Sequence, residues 1–198
     1  AGETSEGAAF IFLGSASGIT SSDITDPDPV TGIKAATTLQ SNQVDAELGY
    51  SVDTAGDING DGYDDVIVGA HWYDDGEVYE GAAFIFHGSA SGISSSDAAD
   101  PDGAGPLTGI NADTTLQSNQ VDAELGHSVA TAGDVNDDGY DDIIVSAHWY
   151  NGGESYEGAA FIFHGSASGI SSSDSADPDG AGPLTGINAD VTLQSNQA

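Results

Sequence analysis

The string GAAFIF begins at Gly7, Gly81 and Gly158, so the chain repeats itself at intervals of 74 and 77 residues. A period of this kind restricts the fold more than composition does, because each period must be one supersecondary unit that buries its apolar faces against neighbouring copies. Other strings keep the same phase: DAELG starts at Asp45 and again at Asp122, and the Gly-Asp-x-Asn turn places Asp57 and Asp134. The shorter first interval has a local cause. DPDPVTGI after Thr25 becomes DPDGAGPLTGI after Ala99, a gain of three residues in a polar stretch, and insertions are tolerated in loops.

Within a period the pattern is that of short strands. Tyr50 to Ala55 reads YSVDTA, Asp65 to Ala70 reads DVIVGA, Gly81 to His87 reads GAAFIFH, and Thr114 to Gln117 reads TTLQ. The runs are rich in β-branched and aromatic residues and are separated by Asp/Gly turns. No run of ten to twelve residues carries an i, i+3, i+4 apolar period, so helices are not expected. Four short strands per period predict an all-β fold of β-propeller blades, each of four antiparallel strands. A parallel β-helix fits poorly, since its coils are much shorter than this period. The expected division is a partial blade over 1–44, holding strands three and four, and full blades over 45–121 and 122–198. About two and a half blades fall short of the four to eight that close a propeller, which reads as a fragment of a larger propeller or repeat array.

Charge narrows the function classes. With one Lys or Arg against 33 Asp and Glu, the formal net charge is -32. A field of that sign repels phosphate, so nucleic-acid binding is excluded as a role, as is attraction to anionic lipid. No apolar stretch approaches the ~20 residues of a membrane span, and membrane insertion is not expected. The chain is nonetheless 38% hydrophobic, in ordered runs, which argues for folding rather than disorder. Self-repulsion of this size calls for bound cations or high ionic strength, hence a calcium-rich extracellular fluid or a saline environment. Cysteine is absent, so no disulfide framework exists.

The strings DINGDGYDD (57–65) and DVNDDGYDD (134–142) carry the most specific chemistry. Calcium loops place side-chain oxygens at positions 1, 3 and 5, glycine at 6 and a backbone carbonyl at 7. In the first loop these are Asp57, Asn59, Asp61, Gly62 and the carbonyl of Tyr63; in the second, Asp134, Asn136, Asp138, Gly139 and the carbonyl of Tyr140. An EF-hand would need Glu at position 12, where Val68 and Val145 stand. Closure therefore falls to Asp65 and Asp142 at position 9, in a nine-residue loop between strands. An all-oxygen set predicts Ca²⁺ rather than zinc or copper. An ordinary Asp/Asn/Gly turn is the plainer alternative, which two copies at one phase disfavour.

These segments resemble the FG-GAP repeat family, whose best-known members form the β-propeller of integrin α chains. LGYSVDTAGDINGDGYDDVIVGA (48–70) and LGHSVATAGDVNDDGYDDIIVSA (125–147) carry the likeness, together with the GAAFIFHGSASGI run behind each. Phe-Gly is replaced by Leu48-Gly49 and Leu125-Gly126, and Gly-Ala-Pro by GAH (69–71) and SAH (146–148). The resemblance implies a calcium-stabilised, secreted or cell-surface module that is structural or adhesive and not an enzyme. Its implied partners are other copies or other parts of the same chain, and an extracellular protein or glycan. The alternative is a non-catalytic propeller accessory to an extracellular hydrolase or lyase.

The remaining candidates are weaker. His71 and His148 recur in HWY, and His87 and His164 end the AAFIFH run; repetition at blade phase favours packing or rim roles over catalysis. Trp72 and Trp149 read the same way, although an exposed indole can stack on a sugar. GSASG (88–92) has Ala90 where a nucleophile elbow needs Ser. Asp97, Asp100 and Asp102, in a loop repeated at 171–183, form a second cation candidate, weighed against a solvated loop.

Overall fold

The computed structural model describes residues 4–16, 18–19, 35–93, 112–170 and 188–195. The Asp97, Asp100 and Asp102 loop and its repeat lie outside the described residues. The described residues form ten strands: β1 (Ala9–Ile11), β2 (Thr37–Leu39), β3 (Ser51–Gly56), β4 (Asp65–Ala70), β5 (Ala82–Phe86), β6 (Thr114–Gln117), β7 (Leu125–Gly133), β8 (Asp142–Ala147), β9 (Ala159–Phe163) and β10 (Val191–Gln194). Among the described residues there is no helix.

β3-β4-β5-β6 and β7-β8-β9-β10 are antiparallel four-stranded sheets in chain order, and β1-β2 is a two-stranded piece of the same kind. This up-and-down order is that of propeller blades. Most of the expected strands form within a residue of the positions read from the sequence.

The period of two along each strand explains the packing. In β5, Phe84 and Phe86 join Leu39, Ala46, Leu48, Val68, Ala70 and Tyr73 in one core, facing the preceding unit. Ala83 and Ile85 point the other way and join Leu125, Val129, Ile143, Val145, Phe161 and Phe163 of the next unit. A sheet buried on both faces needs an unbroken apolar strand, and AAFIF is that strand, buried along its whole length in β5. The cores thus lie between units rather than within them.

Glycine makes the seam possible. Gly81 and Leu125 form an isolated parallel bridge between units. Gly81 has φ +74, and a methyl group there would collide with the backbone of Leu125; at Gly126, φ +83, it would collide with the carbonyl of Ala82. Backbones this close exclude any Cβ. Ser51 Oγ crosses the seam to donate to the Gly126 carbonyl at 2.7 Å.

Candidate functional site

The two acidic loops join β3 to β4 and β7 to β8, and they adopt one conformation twice. In the first, the Asp61 amide donates to Asp57 Oδ1 at 3.0 Å and to Asn59 Oδ1 at 2.9 Å. The Gly62 amide reaches Asp57 Oδ2 at 2.9 Å, and the Tyr63 amide reaches Asp61 Oδ1 at 2.9 Å. The second loop repeats this: Asp138 N to Asp134 Oδ1 at 3.0 Å and to Asn136 Oδ1 at 3.0 Å, Gly139 N to Asp134 Oδ2 at 2.9 Å, and Tyr140 N to Asp138 Oδ1 at 3.0 Å. Gly62 and Gly139, at φ +90 and +93, supply the turn at position 6. The side chains at positions 1, 3 and 5 therefore all point into the loop.

Asp65 and Asp142, at position 9, are fully buried. Asp65 accepts from Ile58 N at 3.1 Å and Gly88 N at 2.8 Å, one amide per oxygen. Asp142 does the same with Val135 N and Gly165 N, each at 2.9 Å. They pin the loop to the turn after the third strand of the same sheet. Burial raises the Asp65 carboxyl above its ordinary range; the amides of Gly88 and Ile58 and the charge of His87 oppose the shift, and the like charge of Asp61 adds to it.

As the loops stand, no group of three His, Cys, Asp or Glu among the described residues converges at metal-binding distance. The donor chemistry still fits a hard cation. Every side-chain acceptor is oxygen, and each Asp65 or Asp142 oxygen that accepts one amide keeps a second lone pair. The Tyr63 and Tyr140 carbonyls belong to the same turns, while Tyr63 holds its ring 43% exposed.

The loops also touch each other, which the sequence gives no sign of. The Asp57 amide donates to Asp141 Oδ2 at 2.9 Å, and the Asp141 amide returns to the Asp57 carbonyl at 3.2 Å. A Cβ on Gly60 would sit 2.6 Å from the Tyr140 ring, so that ring lies over the first loop.

At the other ends of β4 and β8 a second constellation appears. His71, His127 and His148 lie together, with ring centroids 5.6 Å apart for His71–His127 and 4.2 Å for His127–His148. Tyr50 covers His71 at 4.0 Å and His127 at 5.1 Å. Glu47 lies 3.8 Å from His71 Nε2, and Glu124 lies 3.5 Å from His148 Nδ1. His71 is buried, with Nδ1 unpartnered. Burial lowers its basicity, Glu124 opposes that, and the neighbouring histidines reinforce it; His148 is lowered by burial and by His127. The repeat foreshadowed His71 and His148, but His127 occupies the phase of Tyr50, and a one-residue departure from the repeat was its only trace.

Tandem antiparallel four-stranded units, each with an acidic loop between its first and second strands, define a blade-repeat protein. The FG-GAP repeat family matches residues 48–86 and 125–163, so the chain carries two FG-GAP repeats. It is similar to integrin alpha-5 of Xenopus laevis, 30% identical over 151 residues, which is 72% of this chain and 12% of that protein. Integrin alpha-V of Gallus gallus is 34% identical over 133 residues, 65% of this chain and 11% of that protein. Integrin alpha-IIb of Mus musculus is 33% identical over 138 residues, 67% of this chain and 12% of that protein. The chain thus spans about an eighth or less of the length of these relatives.

Proposed function

We propose that this chain is a calcium-stabilised extracellular structural or adhesion module, non-catalytic, built from units at 45–121 and 122–198 after a partial unit at 1–44. The observation that carries this reading is the acidic loop formed twice with the same hydrogen bonds. Asp57, Asn59, Asp61, the Tyr63 carbonyl and Asp65 would hold one Ca²⁺; Asp134, Asn136, Asp138, the Tyr140 carbonyl and Asp142 would hold the other. A bound cation would supply positive charge where each ligand set gathers three carboxylates and the rest of the chain, with one Lys or Arg, offers almost none.

The likeness to integrin α chains supports a cell-surface or secreted setting and partners that are other repeat units, an extracellular protein or a glycan. Both the acidity and the loops suit calcium-rich or saline fluid. Extracellular calcium modules bind at roughly 10⁻⁴ to 10⁻³ M, and free calcium at about 100 times the dissociation constant stabilises a fold by about 2.7 kcal/mol per site.

The test is a thermal melt in EGTA and then in millimolar CaCl₂, at fixed high ionic strength. A calcium-specific rise in Tm is expected, with part of it lost in Asp61→Ala and part in Asp138→Ala. Equal Tm values with and without calcium would leave the loops as self-capped turns and overturn the reading.

A further inference from the structure

The backbone of the seam between units is built three times in the chain and used twice. At the first seam the amides of Asp45, Glu47 and Leu48 donate to the carbonyls of Thr4, Ser5 and Glu6 at 2.8, 3.1 and 2.9 Å; at the second, those of Asp122, Glu124 and Leu125 donate to Val78, Tyr79 and Glu80 at 2.9, 3.1 and 2.9 Å. Ser155, Tyr156 and Glu157 carry the third set of carbonyls, and among the described residues no backbone amide of another unit reaches them. The glycines in phase agree. A Cβ on Gly7 or Gly81 would strike the backbone of Leu48 or Leu125 at 2.3 Å, whereas the nearest neighbour of one on Gly158, at φ +69, is His148 of its own unit at 2.9 Å. Gly158 thus keeps the left-handed backbone of a seam with no other unit pressed on it.

Side chains repeat the contrast. Toward the following unit, Ile58 and Leu116 are fully buried, but their counterparts Val135 and Leu193 are 53% and 50% exposed. Toward the preceding unit, Val129 is 6% exposed beneath a four-stranded sheet, while its counterpart Val52, with only β1 and β2 before it, is 57% exposed. One apolar face is therefore open on unit 122–198, and another is half covered on unit 45–121. They are the two sides of the seam that joins β3-β4-β5-β6 to β7-β8-β9-β10.

We infer that a second copy of this chain docks on the open face: its unit 45–121 packs against unit 122–198 of the first, in place of its own residues 1–44. The seam already formed inside the chain supplies the pairing. Asp45, Glu47 and Leu48 of the second copy donate to Ser155, Tyr156 and Glu157, and Asp64 meets Asp134 as Asp141 meets Asp57. Each backbone bond given up at residues 4–6 is replaced by its equal, so the two states differ by the apolar surface that four strands bury and two do not, Val52, Val135 and Leu193 included. Asp137 stands where Gly60 lies under the Tyr140 ring, so the Tyr63 ring of the second copy turns aside. Repulsion between two chains of net charge -32 opposes pairing, and high salt relieves it, since the screening length falls to about 3 Å near 1 M. The inference deepens the reading that the partners are other repeat units, and rests on it, by naming the copy and the faces.

The test is sedimentation of the 198-residue chain over a range of concentrations in CaCl₂ and about 1 M NaCl. Leu193→Asp spoils only the open face and Val52→Asp only the half-covered one; both side chains are exposed in the single chain, so each variant should keep the Tm of the parent. The parent is expected to associate as its concentration rises, and each variant alone to stay monomeric. An equimolar mixture of the two variants should form a dimer of twice the mass, because each supplies the face that the other lacks. Leu193→Ser and Val52→Ser repeat the test without added charge. A parent that stays monomeric at every concentration, either variant associating as the parent does, or a mixture that remains monomeric would overturn the inference. Melts of Leu193→Asp in EGTA and in CaCl₂ read the acidic loops without pairing. Calcium dependence there with no pairing of the parent removes only this inference, and pairing without calcium dependence removes only the calcium reading.

Discussion

Glu80 is fully buried, with Oε1 accepting the amides of Asp75 and Glu77 at 2.7 and 3.4 Å and Oε2 unpartnered. Burial pushes its carboxyl up to about 7, against the opposing pull of those amides and with the added push of Asp75. A carboxyl whose folded pKa exceeds its unfolded value stabilises the fold below the unfolded pKa, and that contribution is lost as pH rises through the folded one. Stability is therefore expected to fall between pH ~4.5 and ~7, on the order of 3 kcal/mol if Glu80 alone is responsible. Glu80→Gln should flatten that slope in urea melts at stepped pH. His71 works in the opposite sense: its lowered pKa means stability is lost as pH falls below the ordinary histidine value, and His71→Phe should remove that acid limb. Neither effect was legible in the sequence. EGAAFIF stands three times in identical letters, and only packing against the next unit decides that this glutamate is sealed in. Gly126 is a second such case, because the repeated Leu-Gly gives no sign of the Ala82 carbonyl that lies against it. Gly126→Ala is expected to cost at least ~2 kcal/mol in chemical denaturation, because the added methyl group meets the Ala82 carbonyl.

Strand identity was legible almost residue by residue, since each strand pairs a β-rich run with Asp/Gly turns. Burial was not, and β6 and β10 show why. Their sequences, TTLQ and VTLQ, differ at one residue, yet Leu116 is fully buried and Leu193 is 50% exposed. Thr114 Oγ1 also donates to the Ile170 carbonyl of the adjoining unit at 2.8 Å. The neighbour that covers a strand, rather than the strand's own letters, sets its protection. Hydrogen exchange should accordingly be slower by at least about tenfold at the amides of β6 than at those of β10. The acidic loops were legible as nine-residue turns between strands, but their mutual contact was not. Because Asp57 and Asp141 exchange hydrogen bonds, Asp61→Ala and Asp138→Ala should not be additive. A double-mutant cycle is expected to return a coupling of at least ~0.5 kcal/mol, read from the calcium-dependent part of the melt.

At the scale of the molecule, charge and packing pull against each other. A net charge of -32 on 198 residues strains the compact state by self-repulsion. Raising NaCl from about 0.1 to 1 M shortens the screening length from about 10 to about 3 Å, so the Tm in EGTA is expected to rise with salt and the calcium increment to shrink. The packing supplies a polarity of its own. In β5 the phenylalanines turn toward the unit before and Ala83 and Ile85 toward the unit after, so the two sides of a sheet are plug and socket rather than mirror images. A contact between unlike faces has no two-fold axis, and growth by it runs in one direction only. Whether such a series ends in a ring or continues as a filament is then a matter of angle: the rotation from one sheet to the next, set at the glycine seam, either returns to its start after a whole number of steps or does not.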